Sequence, residues 1–117
     1  MKKRLSLVRA LAAKPTFIIM DEPFSSLDSV IKESLEEEIL AIVKNSNTTV
    51  LLVTHDIEEA IFLSDRVVVL NGPPMTIKGE FSIPFNQPRH QALRDSQEFI
   101  ILKNQVRICQ KTKEAVL

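Results

Sequence analysis

Apolar residues recur every three or four positions in three parts of the sequence, and this spacing predicts amphipathic helices. The predicted helices cover residues 2–13, residues 28–44 with Asp28 as the N-cap, and the tail from His90 onward. The acidic run at 36–38 falls mostly beside the apolar stripe of the second helix. We therefore expect these acids to lie on a solvated helix face.

Three short, mostly apolar runs predict β-strands. They are Thr16–Met20, Thr49–Thr54 and Arg66–Leu70. The first two runs are continuous, which is typical of strands covered on both faces. A capping-box pattern predicts a short helix from Asp56 to about Leu63, and turn residues 71–74 lead to a return strand over Met75–Ile83. Strands that alternate with helices predict an α/β fold with parallel strands and flanking helices.

Composition narrows the possible functions. The 117 residues are 44% hydrophobic and 26% charged, as in ordinary globular domains. The 15 basic and 15 acidic residues cancel, which argues against a nucleic-acid-binding protein. The single cysteine, Cys109, excludes an internal disulfide bond. The two glycines, Gly72 and Gly79, cannot form a glycine-rich phosphate-binding loop.

The strongest chemical signal is a pair of carboxylates directly after a predicted strand. Asp21 and Glu22 follow the apolar run that begins at Phe17, and His55 follows the next predicted strand. Ligands of parallel sheets bind beyond the carboxyl ends of the strands, so we expect these side chains to share one edge. One carboxylate can hold Mg²⁺, the other can act on an attacking water, and histidine can donate to a phosphate oxygen. Taken singly, the same residue types also commonly open loops or cap helices.

The order of three motifs is more specific than any one of them. The sequence reads LSLVRALAAKP from Leu5, FIIMDEPFSSLD from Phe17 and LLVTHDIEEA from Leu51. This order resembles the ATP-binding subunits of ABC transporters, strongly as far as about Leu70 and weakly beyond. The resemblance implies a P-loop NTPase fold with ATP and Mg²⁺ as cofactors.

The resemblance also assigns roles to the candidate site residues. Asp21 ends a strand that looks like Walker B and would hold Mg²⁺ through water. Glu22 matches the catalytic glutamate, and His55 matches the switch histidine that reaches the γ-phosphate. Ser26 and Asp28 fall in the D-loop, which faces the partner subunit and would contribute to nucleotide binding from that side.

The resemblance implies a cellular setting as well. ATP hydrolysis would energise an importer, with the protein peripheral at the cytoplasmic face of the plasma (inner) membrane. The implied partners are a second ATPase subunit in a homodimer, a membrane permease and, indirectly, a solute-binding protein, but no nucleic acid. Three later segments are similar to the subgroup that imports nitrate, sulfonate, taurine and related small anions. They are Asp65–Pro74, Phe81–Pro84 and Asp95–Phe99.

The sequence departs from the family pattern in the parts that it lacks. It has no Walker A loop, no LSGGQ signature, no adenine-stacking aromatic residue and no Q-loop glutamine in the usual place. The resemblance thus implies a partial domain without its N-terminal half: residues 1–83 form the C-terminal part of the ATPase domain, and residues 84–117 form a linker and helical tail. We expect an inactive isolated chain with exposed apolar faces at Phe17–Met20 and Val50–Val53. The alternatives are a non-catalytic interaction module, a split enzyme, or a pseudogene or wrongly assigned start.

Overall fold

The computed structural model describes residues 2–72, 74–87 and 89–111. The helices are α1 (Lys2–Ala12), α2 (Ser29–Lys44), α3 (Ile57–Leu63) and α4 (Gln97–Lys111). The strands are β1 (Phe17–Asp21), β2 (Thr49–Val53), β3 (Arg66–Asn71) and β4 (Thr76–Ser82). A 3-10 helix covers Gln91–Asp95. Met1, Pro73, Pro88 and the predicted tail beyond Lys111 lie outside the described residues.

These elements form two compact units. The first contains the chain up to His55 together with the segment from Asn86 to His90, and so holds α1, β1, α2 and β2. The second contains Asp56 to Phe85 and the chain from Gln91 onward, and so holds α3, β3, β4, the 3-10 helix and α4.

The first unit is built on two parallel strands. β1 and β2 pair over their full lengths, with Asp21 opposite Val53. Parallel neighbours require a crossover connection, and α2 supplies it. Asp28 is the N-cap of α2, and its carboxylate accepts a hydrogen bond from the N–H of Ile31 at 3.0 Å. The predicted parallel strands and flanking helix are therefore confirmed.

Only one face of this two-stranded sheet is buried. The core of the unit contains Leu11, Met20, Phe24, Leu35 and Ile39. Four apolar strand residues are between 45% and 60% exposed: Phe17, Ile19, Leu51 and Val53. The prediction that both strands are covered on both faces is wrong for this structure, because the described elements cover one face. The expectation of exposed apolar faces on these strands is confirmed.

The acidic run of α2 does not lie wholly on a solvated face. Glu36 is fully buried, whereas Glu37 is exposed. The buried positions of the helix are Leu35, Glu36, Ile39 and Leu40. These are two adjacent pairs one turn apart, so the buried stripe is wide enough to include position 36. The solvated-face prediction is therefore corrected at this residue.

The second unit packs α4 on an antiparallel hairpin. β3 and β4 pair from Arg66 opposite Ser82 to Asn71 opposite Thr76, which confirms the predicted return strand. Within the described residues, β3 pairs with β4 alone, so the only parallel pair is β1 with β2. The tail becomes α-helical after Ser96, whose hydroxyl accepts from a backbone N–H three residues on. The predicted helix from His90 therefore begins as a 3-10 helix and becomes α4 at Gln97.

Candidate functional site

Two predicted site residues lie at the carboxyl ends of the parallel strands. Asp21 is the last residue of β1 and is exposed. Glu22 follows it, and its backbone N–H donates to the carbonyl oxygen of Val53 at 2.8 Å. This bond extends the pairing of β1 with β2 by one step beyond Asp21. The backbone that bears these two adjacent carboxylates is thus held at the sheet edge where parallel sheets bind ligands.

The backbone at Glu22 is left-handed, with φ at 49°. This region costs a residue with a Cβ about 1–2 kcal/mol, so the surrounding structure must hold it. The next two residues, Pro23 and Phe24, are buried, and Phe24 is only 2% exposed. The hydroxyl of Ser25 donates to the Glu22 carbonyl oxygen at 3.2 Å. Burial after Glu22 and this local hydrogen bond together define the turn that presents its carboxylate.

The Glu22 side chain contacts His55, which follows β2. Oε2 of Glu22 accepts the backbone N–H of His55 at 3.0 Å and also contacts Nδ1 of the imidazole. Because an ionised carboxylate only accepts hydrogen bonds, this contact is a hydrogen bond in the forms of the imidazole that carry a proton on Nδ1. The imidazole is 95% exposed and the Glu22 side chain 31% exposed. The ring can therefore offer its second nitrogen, Nε2, to a ligand at the same edge.

The other predicted site residues lie on the loop between β1 and α2. Ser26 and Asp28 are both exposed. Asp28 has a defined structural task, because its carboxylate caps α2 through the N–H of Ile31. The role of Ser26 and Asp28 at a partner subunit stays a prediction.

The residues present fit a magnesium ion that is shared with a nucleotide better than a metal held by protein alone. Across residues 2–72, 74–87 and 89–111, no group of three or more His, Cys, Asp or Glu side chains could hold a metal ion. Mg²⁺ in nucleotide sites needs only one or two carboxylates, because water and phosphate oxygens complete its shell. The exposed carboxylate of Asp21 at the end of β1 meets that requirement.

Sequence reasoning missed two features of this site. It placed Glu22 and His55 at one edge but gave no signal for their direct contact. It also assigned no role to the Ser25 hydroxyl, which supports the Glu22 turn. A serine three residues after a strand-ending carboxylate is compatible with such a turn, because serine hydroxyls often bond to nearby backbone.

Among the helices of residues 2–72, 74–87 and 89–111, none is both long and apolar enough to cross a bilayer.

Comparison with known proteins identifies homologues along most of the chain. No model of a protein family matches it. It is 50% identical over 92 residues to the nitrate import ATP-binding protein NrtD of Synechococcus elongatus, which covers 78% of this chain and 34% of that protein. It is 51% identical over 90 residues to the bicarbonate transport ATP-binding protein CmpD of Synechocystis, covering 76% and 32% respectively.

A third relative extends the match further along the chain. The nitrate transport protein NasD of Klebsiella oxytoca is 37% identical over 108 residues, covering 91% of this chain and 41% of that protein. The chain thus spans roughly a third of the length of the curated relatives that it matches. Over its matched residues, the chain is a homologue of the ATP-binding subunits of ABC transporters for nitrate and bicarbonate.

Proposed function

We propose that this chain supplies the magnesium-holding and catalytic carboxylates of an ABC-type ATPase subunit. One observation carries the proposal: the Glu22 carboxylate contacts His55 at the carboxyl ends of two parallel strands, directly beside Asp21. Two carboxylates and an imidazole at one sheet edge can hold a metal ion, orient an attacking water and contact a phosphate oxygen, as phosphoryl transfer to water requires. The homology to ATP-binding subunits supports the same reading.

The three residues divide the chemistry between them. Asp21 holds Mg²⁺ through water, and the ion would neutralise charge on the nucleotide phosphates. Glu22 orients the attacking water and accepts its proton. His55, in its doubly protonated form, donates from Nε2 to a γ-phosphate oxygen, while Glu22 accepts from Nδ1 and fixes the orientation of the ring. Glu22 therefore serves both the water and the histidine, which explains why its carboxylate is held in a strained turn.

We further propose that the loop with Ser26 and Asp28 faces a second ATPase subunit. Both residues are exposed, and their loop begins directly after the catalytic edge. Asp28 also caps α2, so its backbone position is fixed in the absence of a partner. A fixed, exposed loop beside the site is suited to sense a second subunit.

The transport role is inferred from the relatives. The names of NrtD and NasD refer to nitrate, and the name of CmpD refers to bicarbonate transport. We propose that this chain belongs to an importer of a small oxyanion of that kind, working with a membrane permease and, indirectly, a solute-binding protein. The ATPase would then be peripheral at the cytoplasmic face of the membrane. The permease and binding protein, and not the residues of this site, would select the solute.

The sequence also favours a second candidate, a non-catalytic interaction module. It contains two glycines and no phosphate-binding loop, although such loops supply much of the charge stabilisation in P-loop enzymes. We propose that the isolated 117-residue chain is a partial P-loop NTPase fold that does not hydrolyse ATP unaided. ATP binding by the chain alone at micromolar affinity would argue against the module and for an independent nucleotide site.

A chimaera tests the catalytic proposal. This chain replaces the matching stretch of NrtD from Synechococcus elongatus, with which it shares 50% identity, so that NrtD supplies the rest of the subunit. The chimaera should hydrolyse ATP. Glu22→Gln should lower kcat by about 10²-fold or more while ATP binding is retained, because the amide cannot accept the proton of water.

The matched control is Glu37→Gln, which removes an exposed carboxylate from α2. This variant should keep the turnover of the parent chimaera. Turnover retained in Glu22→Gln, or lost equally in both variants, would contradict the role given to Glu22. If the chimaera hydrolyses ATP and its Glu22→Gln variant keeps the same turnover, the result would favour the interaction module.

A further inference from the structure

A cleft lies just before β1 and β2 in the first unit. Its volume is about 480 Å³, and residues 14–16 and 44–47 line it. The first segment follows α1, and the second begins at the last residue of α2. Small-molecule sites have volumes of about 300–1,000 Å³. Glu22 follows the carboxyl end of β1, so the cleft and the proposed catalytic edge lie at opposite ends of the same parallel strands.

The charge on the cleft is positive. Lys14 and Lys44 are exposed, and none of the seven lining residues is acidic. In the part of the chain that the structure describes, neither lysine side chain has an ion-pair or hydrogen-bond partner. Two ammonium groups that line one cleft repel each other, and an anion bound between them would relieve that repulsion.

The last turn of α2 has hydrogen-bond donors other than Lys44. The side-chain amide of Asn45 donates to the carbonyl oxygen of Ala41 at 3.0 Å. The hydroxyl of Ser46 donates to the carbonyl oxygen of Val43 at 3.1 Å. Lysine side chains near the end of a helix often bond to such carbonyl oxygens. Since these two carbonyl oxygens already have donors, the Lys44 ammonium remains available to a ligand.

The backbone at Lys14 is left-handed, with φ at 54°. This region is unfavourable for a residue with a Cβ, and glycine is the usual residue where a helix ends in this conformation. The N–H of Lys14 donates to the carbonyl oxygen of Leu11 at 3.0 Å, so the residue forms part of the end of α1. A lysine where glycine would be unstrained points to a task for its side chain.

We propose that this cleft binds a small soluble oxyanion with two or more negative charges, such as a pyrophosphate group. Lys14 and Lys44 each donate to a different charged group of the ligand, because they belong to separate segments. Thr16 and Asn47 add a hydroxyl and an amide for the remaining oxygens. A monovalent anion engages two cations less strongly. The site does not depend on the catalytic function proposed above.

Equilibrium dialysis of the full chain against radiolabelled pyrophosphate, without Mg²⁺, tests the proposal. Pyrophosphate should bind about tenfold or more tightly than nitrate measured by competition, and sodium chloride should weaken the binding. Lys14→Met and Lys44→Met should each weaken it about fivefold, because each removes one exposed cation and keeps a long side chain. Lys44→Arg should keep most of the affinity.

The matched control is Arg9→Met. Arg9 is an exposed cation of the same unit that does not line the cleft, so pyrophosphate affinity should stay within about twofold. Equal losses in Arg9→Met and in the two lysine variants would indicate general attraction by the charge of the chain and overturn the proposal. Affinity that is lost in His55→Ala but kept in the lysine variants would place the anion at the other edge and also overturn it.

Urea denaturation separates ligand binding from a structural role of Lys14. Lys14→Gly relieves the left-handed strain, so it should raise the unfolding midpoint while it weakens pyrophosphate binding. Lys14→Met keeps the strain and should leave the midpoint nearly unchanged. A lowered midpoint in both variants, with pyrophosphate affinity intact, would show a structural role and overturn the proposal.

Vesicles distinguish a soluble ligand from a lipid headgroup with the same chemistry. Phosphatidylcholine vesicles that contain phosphatidic acid present a phosphate group at a surface. Chain that binds pyrophosphate and does not sediment with these vesicles supports the proposal. Chain that sediments with them and does not bind pyrophosphate would overturn it, as would binding to neither.

Discussion

The carboxylate of Glu22 accepts the backbone N–H of His55 at 3.0 Å and contacts its Nδ1, although 33 residues separate the two in sequence. One side chain therefore joins the end of β1 to the end of β2 through both the backbone and the ring. The histidine is held at this edge by its main chain even when its ring is otherwise in solvent. Because the backbone of His55 is held independently of its ring, substitutions of Glu22 and His55 should affect the free energy of unfolding differently.

His55→Ala should leave the free energy of unfolding nearly unchanged, because the imidazole is 95% exposed and the backbone N–H remains. Glu22→Ala removes the acceptor of that N–H and should cost about 1 kcal/mol. Urea denaturation of the two variants measures the difference. In the chimaera with NrtD both variants should lose turnover. Equal destabilisation by the two substitutions would contradict the backbone-anchoring role of Glu22.

Asp28→Ala should destabilise the chain by about 1 kcal/mol, because α2 loses the carboxylate that accepts the N–H of Ile31. Asp28→Asn should keep most of the stability, since an asparagine oxygen caps a helix nearly as well. Thermal unfolding followed by circular dichroism compares the variants. A stable Asp28→Asn variant that lowers chimaera activity would show that the charge acts beyond the cap. Equal stability of all three forms would contradict the capping role.

The sequence predicted the features of this fold that depend on local signals. Asp28 and the apolar spacing after it define α2, and both signals lie within one segment. The parallel pairing of β1 with β2 follows from the intervening helix. These are the features in which the pattern and the structure agree.

Features that depend on distant contacts could not be predicted in the same way. The left-handed turn at Glu22 is held by burial of Pro23 and Phe24. No local sequence pattern predicts that burial. Glu36 is buried because the stripe of α2 that meets the core is wider than its apolar residues indicate. The exposed face at Ile19 depends on which elements cover the sheet, a property that strand hydrophobicity does not encode.

Thr48→Val should destabilise the first unit by about 1 kcal/mol. The Thr48 hydroxyl donates to the carbonyl oxygen of Pro15 at 2.5 Å, and Thr48 is only 8% exposed. Valine keeps the shape of the side chain but leaves that carbonyl without this donor. Thr49→Val is the control, because Thr49 is exposed and its backbone N–H still donates to Thr16. Equal unfolding midpoints in urea for the two variants would contradict the prediction.

Gly79→Ala should destabilise the second unit by about 1–3 kcal/mol. A Cβ at this position would lie 2.6 Å from Sγ of Cys109, so either the Cys109 side chain must change rotamer or β4 and α4 must move apart. Cys109→Ala in the same chain removes the sulfur and should recover most of the loss. The coupling in a double-mutant cycle, measured by urea denaturation, reports this close approach.

Gly72→Ala is the matched control for that cycle. Its Cβ would meet Sδ of Met75 at 3.1 Å, and Met75 is an exposed, flexible side chain that can move aside. The substitution should therefore cost much less than Gly79→Ala and should show no coupling to Cys109→Ala. Additive effects at Gly79 and Cys109 would contradict the proposed contact.

The exposed apolar face of β1 and β2 should cause the isolated chain to self-associate. Ile19 and Leu51 are partners across the two strands and are 60% and 50% exposed. Exposed apolar strands of this kind promote association between chains. The double variant Ile19→Thr with Leu51→Thr should lower the sedimentation coefficient toward that of a monomer, because threonine keeps β-propensity and adds a hydroxyl. Stability should change little, whereas the control Met20→Thr, at a buried position of the same strand, should unfold the unit. An unchanged concentration dependence of sedimentation in the double variant would show that chains associate through another surface.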